Sequence, residues 1–134
     1  MKISNGFVTN SSSTSFVISS KNKVTKKTFI KAMGVEKQSL VFDMFEELFN
    51  KVENVKEEIP LGVKNLEKFF DENGIRIHDS GDVDEIRKRY NAGEKVYYGR
   101  LSDGGDGDCV AFFSHESFVI IEDDFYFNAR NSAY

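Results

Sequence analysis

The sequence predicts an α+β domain. The expected sheet is antiparallel, with four to five strands drawn from an N-terminal strand and a C-terminal meander, and about four helices pack on one of its faces. Three observations lead there. A β-prone run, Phe16-Val17-Ile18, stands near the start. A central stretch repeats apolar residues at spacings of three and four. From Lys95 onward the pattern changes to short, closely spaced β-prone runs separated by turn residues. Thirteen phenylalanines among 134 residues suit a sheet–helix interface, where each ring buries a large apolar area. That length fits one domain over 1–134.

Each element has its own local reason. Phe16, Val17 and Ile18 favour a strand over 15–19, and a weaker β-prone piece precedes it at 6–9. A first helix is expected over 26–33, with Thr25 as its cap and Gly34 closing it. A longer helix follows over 40–56, capped by Ser39, with Val41, Met44, Phe45, Leu48, Val52 and Val55 on one face. Pro60 stops it, because the residue before a proline avoids the helical region. A third helix over 63–72 ends at Asn73-Gly74, and a short extended piece covers 75–77. The fourth starts at Asp82, where Asp82 and Glu85 resemble a capping box, and stops at Gly93. Its apolar face is Val83, Ile86 and Tyr90. Strands are then expected over 96–101, 109–113, 118–121 and 125–127. Between the first two of these, Asp and Gly alternate closely enough to forbid a regular element.

Charge is unevenly spread. Residues 1–37 hold seven lysines and one acid, a net of +6, whereas the remainder holds 11 basic and 21 acidic residues, a net of −10. Such asymmetry marks a basic face that can meet an acidic partner. The lysines come without interleaved aromatics or arginines, and no zinc finger, RNA-recognition signature or helix-turn-helix accompanies them. Nucleic acid is therefore not the expected partner. No apolar run has the length of a membrane span, and a polar serine stretch stands where a secretion signal has its apolar core. The expectation is a cytoplasmic protein. One cysteine excludes an internal disulfide framework and a multi-cysteine metal centre within one chain.

Catalytic constellations are hard to assemble from these residues. Cys109 and His115 are six residues apart, roughly 20 Å if both lie on one strand, too far for a hydrogen-bonded dyad. His78 reaches Cys109 only through tertiary folding. The strongest ligand pattern is acidic. In a meander, alternate turns share one end of the sheet, which would bring Asp103, Asp106 and Asp108 beside Glu122, Asp123 and Asp124. Oxygen-rich clusters of this kind suit calcium or magnesium, although the spacing is not that of an EF-hand.

The string Phe7-Val8-Thr9-Asn10-Ser11-Ser12-Ser13-Thr14-Ser15-Phe16-Val17-Ile18 resembles an N-terminal signature of uncharacterised prokaryotic and phage proteins. The resemblance covers about a dozen residues, with Thr9 and Thr14 where serine is usual. It implies a prokaryotic or phage origin and no activity. Physically, the serine run reads as an anion-binding nest or, in preference, as a self-bonded turn feeding the strand. There is no Gly-Lys-Ser/Thr sequence to make it a nucleotide loop.

Two functional readings follow. The favoured one is a non-enzymatic interaction module that binds another protein or a copy of itself through the basic first helix or the acidic sheet end. The alternative is a divalent-cation-binding protein, or a small metal-dependent enzyme, that uses acidic loops 103–108 and 122–124.

Overall fold

The computed structural model describes residues 13–39, 41–77, 79–102 and 119–129. In chain order the elements are β1 (Ser13–Ser20), α1 (Lys26–Ala32), α2 (Phe42–Val55), β2 (Glu57–Glu58), α3 (Leu66–Glu72), α4 (Ser80–Asn91), β3 (Lys95–Ser102), β4 (Val119–Ile121) and β5 (Phe125–Asn128). The five strands form one antiparallel sheet in the order β2-β3-β1-β5-β4. The α+β class, the antiparallel sheet and the four helices agree with the sequence.

The N-terminal strand is the centre of the sheet. Phe16 pairs with Gly99 on one side, while Ile18 lies between Tyr97 and Phe127. β4 and β5 form the expected hairpin, with Ile121 opposite Tyr126. Among the described residues, however, the neighbours of β3 are β2 and β1, so β1 stands between β3 and the β4–β5 hairpin. The expected strand over 109–113 and the β-prone piece at 6–9 lie outside the described residues. Ser13 and Thr14, expected in a turn before the strand, already belong to β1, and the Ser15 hydroxyl accepts a hydrogen bond from the Arg76 amide at 2.9 Å.

The helices divide between both faces of the sheet. Successive residues of a strand point to opposite sides, so Phe16 and Ile18 face one way and Val17 the other. Phe16, Ile18, Leu101, Phe125 and Phe127 pack with Phe29 of α1 and Phe45, Leu48 and Val52 of α2. On the opposite face, Val17, Val96 and Tyr126 pack with Leu66 and Phe70 of α3 and Val83 and Ile86 of α4. This corrects the expected one-sided arrangement. The reason lies in the strands themselves. Phe16-Val17-Ile18 and Phe125-Tyr126-Phe127 are uninterrupted apolar or aromatic runs, buried on both sides, which is the pattern of a strand covered twice.

Local signals set the helix ends. Thr25 caps α1 in a reciprocal pair with Thr28, each side chain accepting from the other's backbone N–H. α3 is shorter than expected, because Asn65 accepts from the Lys68 amide and starts the helix after Val63. α4 starts earlier than Asp82. Asp79 is its cap, accepting from the Asp82 amide at 3.1 Å, and Asp82 itself is buried in the first turn. In α2 the buried face is Phe45, Leu48, Phe49 and Val52, while Val41 and Val55 are exposed at its ends.

Candidate functional site: a basic groove and a pinned acidic tip

Two concave regions and one projecting turn carry the polar chemistry of the described residues. The first concavity, about 540 Å³, opens at the end of the sheet where Ser20 faces Lys95 and Phe125. Its polar groups are largely committed to the fold. The Ser19 hydroxyl donates to Glu94 Oε1 at 2.7 Å, and the Ser20 hydroxyl donates to the Asp124 carbonyl at 2.9 Å. Lys56 is paired with Glu53 and its Nζ lies 4.4 Å from the centre of the Tyr97 ring.

The second is a groove of about 820 Å³ between α1 and the start of α2. Its apolar floor is Ile30, Val35 and Phe42. Lys26, Lys27, Lys31 and Lys37 line it, against two acids, Glu36 and Glu46. The helix geometry explains the placement. Lys27 and Lys31 are four apart and share one flank of α1, with Ile30 beside them turned to the interior. Gly34, at φ +75°, lets the chain turn sharply back after α1. None of the four lysines forms an ion pair with a described residue. The basic segment legible in the sequence thus becomes a concave surface with lysines over apolar ground.

The projecting turn joins β4 to β5. Ile121 is 57% exposed, and Glu122, Asp123 and Asp124 are all exposed. The backbone of this turn is fixed at several points. The Glu122 amide donates to the Phe125 carbonyl at 2.8 Å. The Asp124 carbonyl accepts from the Lys21 amide and from the Ser20 hydroxyl. The Glu122 carbonyl accepts from the Arg89 guanidinium.

Arg89 is the hub of that last contact. It is only 5% exposed, and its Nε donates to Glu85 Oε2 at 2.8 Å. A second nitrogen meets Glu94 Oε1 at 3.4 Å, and the guanidinium lies over the Tyr126 ring at 5.2 Å. Sequence reasoning passed over Arg89. The Glu85–Arg89 spacing of four was a visible helical pair, but Glu94, Glu122 and Tyr126 reach it only through tertiary folding.

The acidic-loop reading fares differently. Glu122, Asp123 and Asp124 are described, whereas Asp103, Asp106 and Asp108 lie outside the described residues, as do His78, Cys109 and His115. Ser102, which leads into 103–108, pairs with Ser13, while Phe125 pairs with Ser20 at the other end of β1. Seven strand steps, roughly 23 Å, separate these ends. The C-terminal end of β3 and the β4–β5 turn thus stand at opposite ends of β1, and the six-carboxylate grouping itself, through Asp103, Asp106 and Asp108, lies outside the described residues. Among the described residues no three His, Cys, Asp or Glu side chains are grouped to hold a metal ion. No described helix is long and apolar enough to cross a membrane.

Comparison with protein-family models, curated proteins and solved structures found no match.

Proposed function

We propose that this chain is a non-enzymatic interaction module and that the α1–α2 groove is its binding surface. The observation that carries the reading is four lysines, none in an ion pair among the described residues, around an apolar floor of Ile30, Val35 and Phe42. Such a surface suits an acidic protein segment with one apolar anchor. The anchor fills the floor, and the carboxylates meet the lysines at the rim, where charge chiefly sets encounter rate and partner choice.

The test is a titration of the protein against a short fluorescent peptide with a central leucine flanked by carboxylates. The expected result is saturable binding that weakens as salt is raised and is lost in the Lys27→Glu/Lys31→Glu variant. A length-matched basic peptide should not bind. Absence of binding at millimolar peptide and low salt would remove this reading.

A further inference from the structure

We infer that the occupant of the groove is the acidic β4–β5 turn of a second copy of this chain. The inference rests on the groove being a binding surface and adds the identity of the partner. The turn has the complementary features: Ile121 as an exposed apolar residue, followed directly by Glu122, Asp123 and Asp124. These three carboxylates form no ion pair among the described residues, just as the four groove lysines form none. Opposite unpaired charges, each set beside apolar surface, are what a protein–protein contact brings together.

The turn is also presented in a fixed shape. Hydrogen bonds from Ser20, Lys21 and Arg89 hold its carbonyls, and its own Glu122 amide closes it on Phe125. A tip ordered in advance loses little conformational freedom on docking. The buried Arg89 thereby gains a second consequence: it positions the tip as well as joining α4 to the sheet.

The geometry selects a head-to-tail contact. Ile121 pairs with Tyr126 and so shares the α3–α4 side of the sheet. The groove belongs to the α1–α2 side. With donor and acceptor surfaces on opposite sides, each copy that offers its tip keeps its own groove free for the next. Assembly then grows beyond a dimer as concentration rises, unless the rotation closes a ring.

Sedimentation of the full chain over a wide concentration range tests this, with two variants. One breaks the tip (Ile121→Ser/Asp123→Lys) and the other breaks the groove (Lys27→Glu/Lys31→Glu). All four positions are exposed, and circular dichroism checks that both variants fold. Wild type should show a weight-average mass that rises from 15.3 kDa with concentration and falls with salt. Each variant alone should associate about tenfold or more weakly. An equimolar mixture should form a 1:1 dimer and nothing larger, because one intact groove then meets one intact tip. A strict monomer that still captures the acidic leucine peptide would overturn self-association and leave the groove reading standing. A monomer that captures no peptide would overturn both. Association unchanged in either variant would overturn the proposed contact.

Discussion

On the α1–α2 side of the sheet, the fully buried Phe29 ring lies 5.4 to 6.2 Å from the rings of Phe49, Phe125 and Phe127. On the other side, the buried Arg89 is enclosed between two glutamates, a backbone carbonyl and the Tyr126 ring. One side is dry and aromatic, and the other carries a charged network inside an aliphatic and aromatic frame. The same strands build both, since alternate residues of β1 and β5 go to opposite sides. The difference teaches where stability and presentation reside. The dry side responds to volume, whereas the wet side responds to charge balance and also sets the shape of the acidic turn.

The largest effect should come from removing the ring at the dry centre. Phe29→Ala is expected to destabilise the fold by about 3–5 kcal/mol, because the lost transfer energy adds to the cavity left behind. Urea unfolding measures it. A loss below 1 kcal/mol or so would mean that the neighbouring rings collapse into the space, and the contrast between the sides would weaken.

Arg89→Ala should cost about 3 kcal/mol for a different reason. It leaves Glu94, whose side chain is only 7% exposed, inside the fold without its cation. If charge balance is the cause, Arg89→Met combined with Glu94→Leu should recover much of the loss, although Ser19 then loses its acceptor. Failure of the double variant to exceed Arg89→Ala in stability would show that the network acts through packing instead. Even with stability regained, the double variant should associate less than wild type, since nothing then holds the Glu122 carbonyl.

These two residues also show what the sequence made legible. The class, the four helices and the β4–β5 hairpin follow from local periodicity and turn residues. Thr25 and Gly34 end α1 by chemistry that is visible in the string itself. The division of helices between two sides was also written there, in the unbroken runs through Phe16-Val17-Ile18 and Phe125-Tyr126-Phe127. A strand with one wet face would alternate. The central place of β1 was not legible, because pairing between residues 17 and 128 depends on long-range closure and leaves no local trace. That same pairing puts the C-terminal end of β3 and the β4–β5 turn at opposite ends of β1, a placement that no local pattern reveals. The basic groove was half legible: the lysines of α1 were plain, whereas the floor required α2 to fold back so that Phe42 came beside Ile30.

Gly99 marks how tightly the central strands are matched on the dry side. It pairs with Phe16, and a Cβ placed there would come within 2.8 Å of the Phe16 ring and 3.3 Å of the Val55 carbonyl. The ring covers the space that the missing side chain leaves, as aromatic residues do across from strand glycines. Gly99→Ala should therefore cost about 1–3 kcal/mol despite the better strand propensity of alanine. Combining it with Phe16→Leu should give less than the sum of the two separate losses, since the shorter side chain vacates the contested space. Additive losses would show that the Val55 carbonyl, and not the ring, sets the limit.

The smallest effect distinguishes the wet side by pH. Tyr98 shares its side of the sheet with Val17, and its hydroxyl ionises above the ordinary tyrosine value of about 10. Burial is the first cause, the negative charge of Glu57 the second, and the hydrogen bond to that carboxylate the third. The native state therefore holds its phenol proton more tightly than the unfolded chain. Tyr98 contributes stability that is complete below about pH 10 and disappears as pH rises through the higher native value. Phenylalanine at this position titrates nowhere. Between about pH 8 and about pH 11 the wild type should thus lose more stability than Tyr98→Phe, with lysines and the other tyrosines contributing equally to both proteins. Urea melts of the pair across that window measure the difference directly. Parallel declines would mean that the β2–β3 edge opens enough to hydrate the phenolate, and that the charge sensitivity of this side is confined to the Arg89 network.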